Sequence, residues 1–321
     1  MARRALAIVS AAGLRRALAI VIAAPWVAWA LVRTFGLDGA YPLVPAMAFT
    51  PYVAAASPIP VLAALLLRRR IVAAVAALAL LAFALALVPR ALAGGPTAHG
   101  PRITVVTANL YRGQADPETL IRLARTADVL VLEELTPEEL ARLDRAGLAR
   151  ELRYRVAEPR GNASGTAIFA RRPLQPLPSH DAGDHAQPAA RLAIPGAPPL
   201  LLDAVHPAPP INGPREREWA QALAALPGAD RSGVRILVGD FNATLDHRAL
   251  RRVLDRGYAD AADRAGAGLH ATWPALPRRA LPIAIDHVLV DRRVQVDGVD
   301  VQRLPGSDHR ALIARLTLPG Q

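Results

Sequence analysis

The feature that most limits how this chain can fold is an apolar run that ends abruptly in polar residues at Asp240. Residues 236–238 are apolar, Gly239-Asp240-Phe241-Asn242 follows them, and a helical pattern begins a few residues later. This order predicts a buried strand that delivers a carboxylate and a carboxamide to the rim of a sheet, where layered α/β proteins commonly build their sites. Gly, Asp and Asn also favour turns, so in isolation the four residues fit a simple turn equally well.

Four other predicted strands lead in the same way to side chains that can bind a metal ion or exchange a proton. Residues 103–108 precede Asn109, 128–132 precede Glu133-Glu134, 200–205 precede His206, and 285–290, which contain Asp286, are followed by Ser307-Asp308-His309. Because strand ends meet at the edges of sheets, we expect these side chains to form one site.

In that order, the residues resemble the motifs of the endonuclease/exonuclease/phosphatase family. This family comprises divalent-metal-dependent phosphoesterases such as DNase I, exonuclease III, neutral sphingomyelinases and inositol polyphosphate 5-phosphatases. The resemblance covers about residues 101–318. It implies a DNase I-like α/β (α+β) fold, a four-layer sandwich of two mixed β-sheets flanked by helices. Periodicity alone predicts only an α/β or α+β class.

The resemblance also implies a role for each residue in phosphate ester hydrolysis. The implied metal ligands are Asn109, Glu134 and Asp308, and the implied catalytic residues are His206, Asp240, Asn242, Asp286 and His309. Oxygen ligands of this kind suit Mg²⁺ (or Mn²⁺). We expect His309 to act as general base or as electrostatic partner of the phosphate, with Asp286 orienting it.

One departure from the family concerns the residue before the metal-binding Glu, which is often Gln and here is Glu133. Strand alternation turns Glu133 and Glu134 to opposite faces, and we expect Glu134 to face the metal.

Three further residues are predicted to contact the substrate: Arg112, Trp273 and Arg278. A solvated surface arginine and a core tryptophan are the alternative interpretations. His287 follows Asp286 and is predicted to be structural. The other histidines outside the motifs are expected to be exposed: His99, His180, His185, His247 and His270.

Most of the apolar excess of the chain lies in its first 90 residues. Three apolar runs, at about 5–32, 43–67 and 71–89, are predicted to be transmembrane helices, because about 20 apolar helical residues cross a bilayer. A signal peptide is the alternative for the first run. Prolines predict that the second run is a kinked or broken helix: Pro45, Pro51, Pro58 and Pro60.

We therefore predict a membrane region at 1–90, a linker at 91–101 and a catalytic domain at 102–321. Arginines precede the first run and separate the second from the third, at Arg68-Arg69-Arg70. By the positive-inside rule these segments face the cytoplasm, and three spans place the catalytic domain outside the cytoplasmic membrane. Two transmembrane helices would instead leave the catalytic domain in the cytoplasm.

The net charge of +11 is concentrated at the membrane region. Residues 1–95 hold nine Arg and one acid, hence +8, whereas residues 96–321 hold 29 Arg and 26 acids, hence +3. The second part is therefore not a strongly basic nucleic-acid binder. The absence of cysteine excludes disulfides and thiolate chemistry.

A membrane anchor beside a phosphoesterase site resembles the VanJ-like branch of the family, found in glycopeptide-resistance clusters. This similarity implies the membrane as a partner and a lipid-linked phosphate as substrate, either a polyprenyl pyrophosphate or a phospholipid. A membrane-tethered nuclease is the alternative and is less favoured by the charge. A catalytically inactive membrane scaffold is a third hypothesis, and no protein partner is predicted.

Overall fold

The computed structural model describes residues 2–181, 183–230, 232–275 and 280–320, with side chains from residue 11 onward. An apolar helical region comes first, and a domain of two β-sheets follows it. The helices of the first region are α1 (Ala2–Phe35), α2 (Leu43–Met47), α3 (Thr50–Ala56), α4 (Pro58–Leu66) and α5 (Arg70–Leu87), and a short 3-10 turn (Val88–Ala91) ends it.

The second apolar run forms three short helices, as its prolines predict. Pro51 and Pro58 lie in the first turns of α3 and α4, where a missing backbone N–H costs nothing because no helical partner exists for it. Two helical segments are long and apolar enough to cross a membrane, Ala11–Phe35 and Arg70–Ala91, whereas Thr50–Leu66 is shorter. Length and composition alone do not show that these segments cross a membrane, so the three predicted transmembrane helices remain a prediction.

The second region contains two six-stranded mixed sheets. The strands are β1 (Arg102–Asn109), β2 (Val129–Glu133), β3 (Tyr154–Glu158), β4 (Thr166–Ala170), β5 (Leu174–Leu177), β6 (Ala189–Leu192), β7 (Leu200–Val205), β8 (Val234–Asp240), β9 (Tyr258–Asp260), β10 (Asp286–Asp291), β11 (Gln295–Arg303) and β12 (Arg310–Thr317). The first sheet has the order β11-β12-β1-β2-β4-β3, and the second has the order β5-β6-β7-β8-β10-β9.

Helices cover the outer face of each sheet: α6 (Pro117–Thr126), α7 (Pro137–Ala146) and α8 (Leu148–Glu151) pack on the first, and α9 (Gly213–Ala225) and α10 (Arg248–Leu254) pack on the second. The short helix α11 (Ala261–Arg264) instead contributes Ala261 to the core between the sheets. Val105 and Val131 of the first sheet share a core with Ile236 and Val288 of the second. Separate cores join the first sheet to α6 and α7, and the second sheet to α9 and α10. The predicted two-sheet fold with flanking helices is confirmed.

Local sequence fixes where α6 and α7 begin. The side chain of Asp116 accepts a hydrogen bond from Thr119 N at 2.9 Å, and that of Thr136 accepts one from Glu139 N at 3.1 Å. Such N-caps satisfy backbone donors that have no partner inside the helix. Proline follows each cap at the first helical position, so the sequence pattern predicts both starts correctly.

The predicted linker is bound to the second region. Gly94 N donates to Arg264 O at 2.8 Å, and Ala98 N donates to the side chain of Gln295 at 2.7 Å. The apolar helices are therefore joined to the two-sheet domain by a segment with fixed contacts.

Candidate active site

Strand pairing brings the predicted residues to one edge of the sandwich. β8 and β10 are antiparallel with Asp240 opposite Asp286. β1 and β2 are parallel with Asn109 beside Glu133. Because the two sheets pack face to face, the ends of these four strands form one polar centre above the shared apolar core.

Asn109 lies at the middle of this centre. Its Nδ2 donates to Glu134 Oε1 at 3.3 Å and to Asp240 Oδ2 at 3.1 Å. Its Oδ1 accepts from Tyr111 N at 2.9 Å, and Arg112 N donates to Glu134 Oε2 at 2.8 Å. One buried carboxamide thus connects carboxylates from both sheets.

Strained backbone is concentrated around the same residues. Non-glycine residues with positive φ include Tyr111 (47°), Arg112 (57°), Glu134 (55°) and Asn242 (48°). Such residues cost about 1–3 kcal/mol each and persist where the surroundings hold them, which is common at functional sites. Here the side chains of Asn109 and Glu134 hold the turn through its N–H groups.

Glu133 and Glu134 have different surroundings, because Glu133 is the last residue of β2 whereas Glu134 lies in the left-handed turn that follows it. Glu133 is fully buried between the sheets, where its Oε1 accepts from Thr107 Oγ1 at 2.7 Å. Burial raises the pKa of Glu133 well above its ordinary value, and the charges of Asp286 and Asp240 raise it further. Burial also raises the pKa of Glu134, although its hydrogen bond from Asn109 opposes this rise.

His309 is held between two carboxylates. Its Nδ1 lies 2.9 and 3.1 Å from the two oxygens of Asp286, and its Nε2 lies 3.7 Å from Asp240 Oδ2. Burial lowers the pKa of His309, but the charges of Asp286 and Asp240 outweigh it and raise the pKa to about 10. Burial, followed by the charge of Asp286, raises the pKa of Asp240 to about 7. Asp286 and Asp240 therefore stabilise the charged form of His309, and a cation that bound these carboxylates would weaken this effect.

Two hydroxyl groups that the sequence motifs did not assign support this pair. Ser307 Oγ donates to Asn109 O at 2.7 Å and accepts from His309 N at 2.9 Å. Thr272 Oγ1 accepts from Asp286 N at 3.2 Å. Ser307 lies in the Ser307-Asp308-His309 motif, whereas no local pattern marks Thr272.

His206 is a buried, neutral imidazole beside a second histidine. Its backbone N donates to the Gln187 side chain at 3.2 Å, and its ring packs edge-on against His185 with centroids 4.9 Å apart. Burial lowers the pKa of His206 well below its ordinary value, and the charge of His185 lowers it further. Within the described residues, Nδ1 of each of the two histidines has no hydrogen-bond partner.

The expectation that His185 and His247 are exposed is wrong. They are 8% and 2% exposed, respectively. His247 packs against Trp219 and accepts from Thr244 N at 2.8 Å, so it stabilises the loop after β8. No sequence signal distinguished these two histidines, because each is buried by residues distant along the chain.

The remaining predicted residues lie around the centre. Asn242 Nδ2 donates to Pro207 O at 3.0 Å, next to His206, and Asn242 N donates to Asp240 Oδ1 at 2.8 Å. Asp308 Oδ2 accepts from Trp273 Nε1 at 3.1 Å, and its charge adds to the rise in the pKa of Glu134 that burial causes.

The three predicted substrate contacts have different outcomes. The Trp273 ring lies 6.5 Å from that of His309, at the rim of the site. The side chain of Arg112 is exposed and lines a cavity of about 410 Å³ with Ser164, His185 and Arg215. Arg278 lies outside the described residues.

The donor set fits a hard divalent cation. Among the described residues, Asp240, Asp286 and His309 offer ligand atoms within 4.8 Å of one another. Both oxygens of Asp286 are already bound to His309, so we favour Glu134 and Asp240, which meet at Asn109, as the carboxylates that hold the ion. Carboxylate and carboxamide oxygens are ligands that hard cations prefer.

The loop after Asp240 is bound to the ends of the apolar helices. Asp246 is completely buried, and its carboxylate accepts from Arg90 at 2.7 and 2.9 Å and from Arg33 at 3.0 Å. Asp38 Oδ2 accepts from Arg248 N at 2.9 Å. The helix that follows this loop, α10, begins at Arg248 with His247 as its N-cap.

The fold and the site together define a two-sheet sandwich with carboxylates and imidazoles at its strand ends, a set of groups suited to phosphate ester hydrolysis. Residues 106–309, more than half of the chain, match the model of the Endonuclease/Exonuclease/phosphatase family. The chain belongs to this family. Its members are phosphoesterases and nucleases that generally use divalent metals.

Solved structures share the fold. An endonuclease/exonuclease/phosphatase from Beutenbergia cavernae DSM 12333 is 18% identical with a TM-score of 0.55, covering 68% of this chain and 72% of its own. A humanized D. rerio TDP2 is also 18% identical with a TM-score of 0.55, covering 67% and 99%. A truncated Caenorhabditis elegans TDP2 is 17% identical with a TM-score of 0.51, covering 67% and 98%. No curated protein sequence matched the chain.

Proposed function

We propose that this chain is a membrane-anchored, Mg²⁺-dependent phosphoesterase that hydrolyses a lipid-linked phosphate at a site outside the cytoplasm. The observation that carries this proposal is that loops on both sides of the site contact the apolar helices. Asp246, six residues after Asp240, binds Arg33 and Arg90. Pro282 O, four residues before Asp286, accepts from Tyr52 Oη at 2.6 Å.

The outward faces of the helices support membrane insertion. Leu66 and Ile71 are 84% and 83% exposed, and Leu78 and Leu85 are exposed as well. A soluble domain seldom exposes so large a continuous apolar surface, whereas a lipid-facing helix does.

The two ends of the helical region support the proposed orientation. The C-terminal ends of α1 and α5 contact the catalytic domain through Arg33 and Arg90. Arg70 begins α5, an 18-residue helix, and therefore lies about 27 Å from that contact. Arginine-rich ends face the cytoplasm by the positive-inside rule, which puts the catalytic domain outside.

The cavity beside the site supports a substrate with more than one anionic group. Arg112 and Arg215 line it, while Arg112 N binds Glu134 directly. Guanidinium groups bind phosphate oxygens as charge-assisted donors. A polyprenyl pyrophosphate, or a phospholipid with an anionic headgroup, fits this arrangement, as the VanJ-like resemblance implies.

The proposed chemistry divides among residues of both sheets. When bound, a metal would neutralise phosphoryl oxygens and lower the pKa of water; Glu134 and Asp240 would hold it, and Asn109 would position their carboxylates through its Nδ2. Neutral His206 and the amide of Asn242 donate to the phosphate. His309, fixed by Asp286, handles a proton or stabilises the phosphoryl charge.

A substrate assay tests this proposal. Purified full-length protein in nanodiscs with Mg²⁺ is expected to release phosphate from polyprenyl pyrophosphate or to cleave a phospholipid headgroup. Glu134→Gln serves as the inactive control. Turnover of neither lipid by protein that is correctly inserted would contradict the proposal.

A membrane-tethered nuclease is the second candidate. It is favoured by the fold shared with a D. rerio TDP2 solved in complex with a single-strand DNA product, at a TM-score of 0.54. Cleavage of DNA but of no lipid in the same assay would support it. Inactivity toward all of these substrates would favour the inactive scaffold.

A further inference from the structure

A groove lies between α1 and α5 at the end of the helical region that is remote from the catalytic domain. Its volume is about 740 Å³. Ile20, Ala24 and Val27 of α1 and Val72 and Val75 of α5 form apolar walls. Its end is basic and is formed by four arginines, Arg16, Arg68, Arg69 and Arg70.

Among the residues that the structure describes, no carboxylate forms an ion pair with this basic end. Asp38 is the only acid in residues 1–95, and it binds Arg248 N at the opposite end of the helices. Arg69 donates to Ala12 O, yet its buried Nε has no partner within the described part of the chain. Several guanidinium groups that border an apolar groove match the chemistry of an anionic amphiphile.

The length of the groove matches one leaflet of a bilayer. Arg16 and Val27 are eleven residues apart on α1, which corresponds to about 16 Å along a helix. The hydrocarbon core is about 30 Å thick, so half of it is about 15 Å. An acyl chain that starts at the arginines would therefore reach the level of Val27 in the apolar part of the groove.

We propose that this groove binds an anionic glycerophospholipid of the leaflet on the arginine-rich side. The phosphate headgroup binds Arg16, Arg68 and Arg70, and one acyl chain lies between α1 and α5. The proposal rests on membrane insertion as proposed above but not on the catalytic reaction. Its occupant is a structural or regulatory lipid, since the catalytic centre lies at the other end of the helices.

Lipid retention tests the proposal directly. The full chain is placed in nanodiscs of phosphatidylglycerol and phosphatidylcholine, and the retained lipids are measured by native mass spectrometry. We expect phosphatidylglycerol to be enriched. Each arginine near a membrane surface contributes roughly fivefold to anionic lipid binding, so Arg16→Gln/Arg70→Gln should reduce the enrichment at least fivefold. Arg145→Gln, an exposed change in the catalytic domain, should leave it unchanged.

A groove-filling variant separates specific binding from general attraction to a charged surface. Ala24→Phe places a ring in the apolar wall without changing charge, and Ala28→Phe makes the same change at an exposed position on α1 outside the groove. The proposal requires that Ala24→Phe abolish enrichment and that Ala28→Phe preserve it. If phosphatidylglycerol were still enriched in Ala24→Phe, or were not enriched in the wild-type chain, the proposed lipid binding in the groove would be wrong. Failure of the chain to enter nanodiscs would instead refute the membrane anchor.

Discussion

At the scale of single residues, two adjacent carboxyl groups have different environments. Glu133 is fully buried and binds the hydroxyl of Thr107, and burial raises its pKa well above the ordinary value. Burial therefore favours its protonated, uncharged form. Glu134 instead receives hydrogen bonds from Asn109 and Arg112 N at the polar centre. Glu133 thus lies in the interior beneath the polar centre, whereas Glu134 faces the polar centre, where the side chains fit a cation.

This contrast predicts that the two Glu→Gln changes differ sharply. Glu134→Gln removes a charge that holds the metal and should lower kcat/KM on the order of 10²-fold, with only partial rescue by added Mg²⁺. Glu133→Gln keeps the size of a side chain whose uncharged form burial already favours. At most one neutral hydrogen bond is lost, which limits the loss to about tenfold. Steady-state rates over a Mg²⁺ titration measure both, and a larger loss in Glu133→Gln would show that Glu133 is the ligand.

The contact of His309 with Asp286 predicts that the two residues act as one unit. His309→Ala should lower kcat by about 10²–10⁴-fold, because it removes the group that handles a proton. Asp286→Asn leaves the His309 ring without its 2.9 Å carboxylate partner and should also lower kcat. The double variant should be hardly slower than His309→Ala alone. Multiplicative losses in the kcat of the three variants would show that the residues work independently.

At this scale the sequence was most informative where a strand ends. An apolar run that stops at Asp240 or Asn109 predicts both the strand and the polar residue at its edge, because the pattern is local. Ser307 Oγ and Thr272 Oγ1 hold the site through contacts with residues distant in sequence. No pattern in the sequence reveals such partners, since only the packing of the two sheets brings them together.

At the scale of elements, the loop between β8 and α10 joins the site to the apolar helices. Its Asp246 is completely buried and bound by Arg33 and Arg90. Burial alone would raise the pKa of Asp246, but the charges of Arg90 and Arg33 outweigh it and lower the pKa below 3.8. The stabilisation is therefore present above about pH 4 and is lost as the pH falls through the lowered pKa.

Asp246→Asn is therefore expected to destabilise the protein strongly. It leaves the buried guanidinium group of Arg90 and the partly buried one of Arg33 without their anion, which costs about 3–5 kcal/mol and lowers Tm by at least about 5 °C. The matched control is Asp300→Asn, which removes an exposed ion pair with Arg315 and should change Tm by less than about 3 °C. Thermal unfolding of both variants in the same detergent measures the difference. An unchanged Tm in Asp246→Asn would contradict a structural role for the ion pairs.

Element boundaries show which sequence signals decide structure. Asp116 and Thr136 each precede a proline and cap a helix as predicted. Asp246 precedes a helical pattern in the same way, yet it binds arginines more than 150 residues earlier in the chain. A capping pattern describes only local hydrogen bonds, so it cannot show that a distant charge competes for the same carboxylate.

At the scale of the whole molecule, the positive charge and the catalytic domain lie at opposite ends of the apolar helices. Arg16 and the arginines between α4 and α5 border the groove at one end, and Arg33 and Arg90 bind Asp246 at the other. The two arginines at the second end share the carboxylate of Asp246 in the catalytic domain. The arginines that border the groove are therefore the ones to which the positive-inside rule is applied here.

This arrangement predicts the location of the C-terminus. In the proposed topology, α1, the α3–α4 segment and α5 cross the membrane in turn from a cytoplasmic N-terminus, so a reporter that is active only outside the cytoplasm should be active when fused after Gln321. The same reporter fused after Arg70 in a truncated chain should be inactive, since the proposal places Arg68-Arg69-Arg70 in the cytoplasm. A reporter active only in the cytoplasm should give the reverse pair of results. Cytoplasmic activity after Gln321 would mean that one of the three segments does not span, and the catalytic site would then face a cytoplasmic substrate.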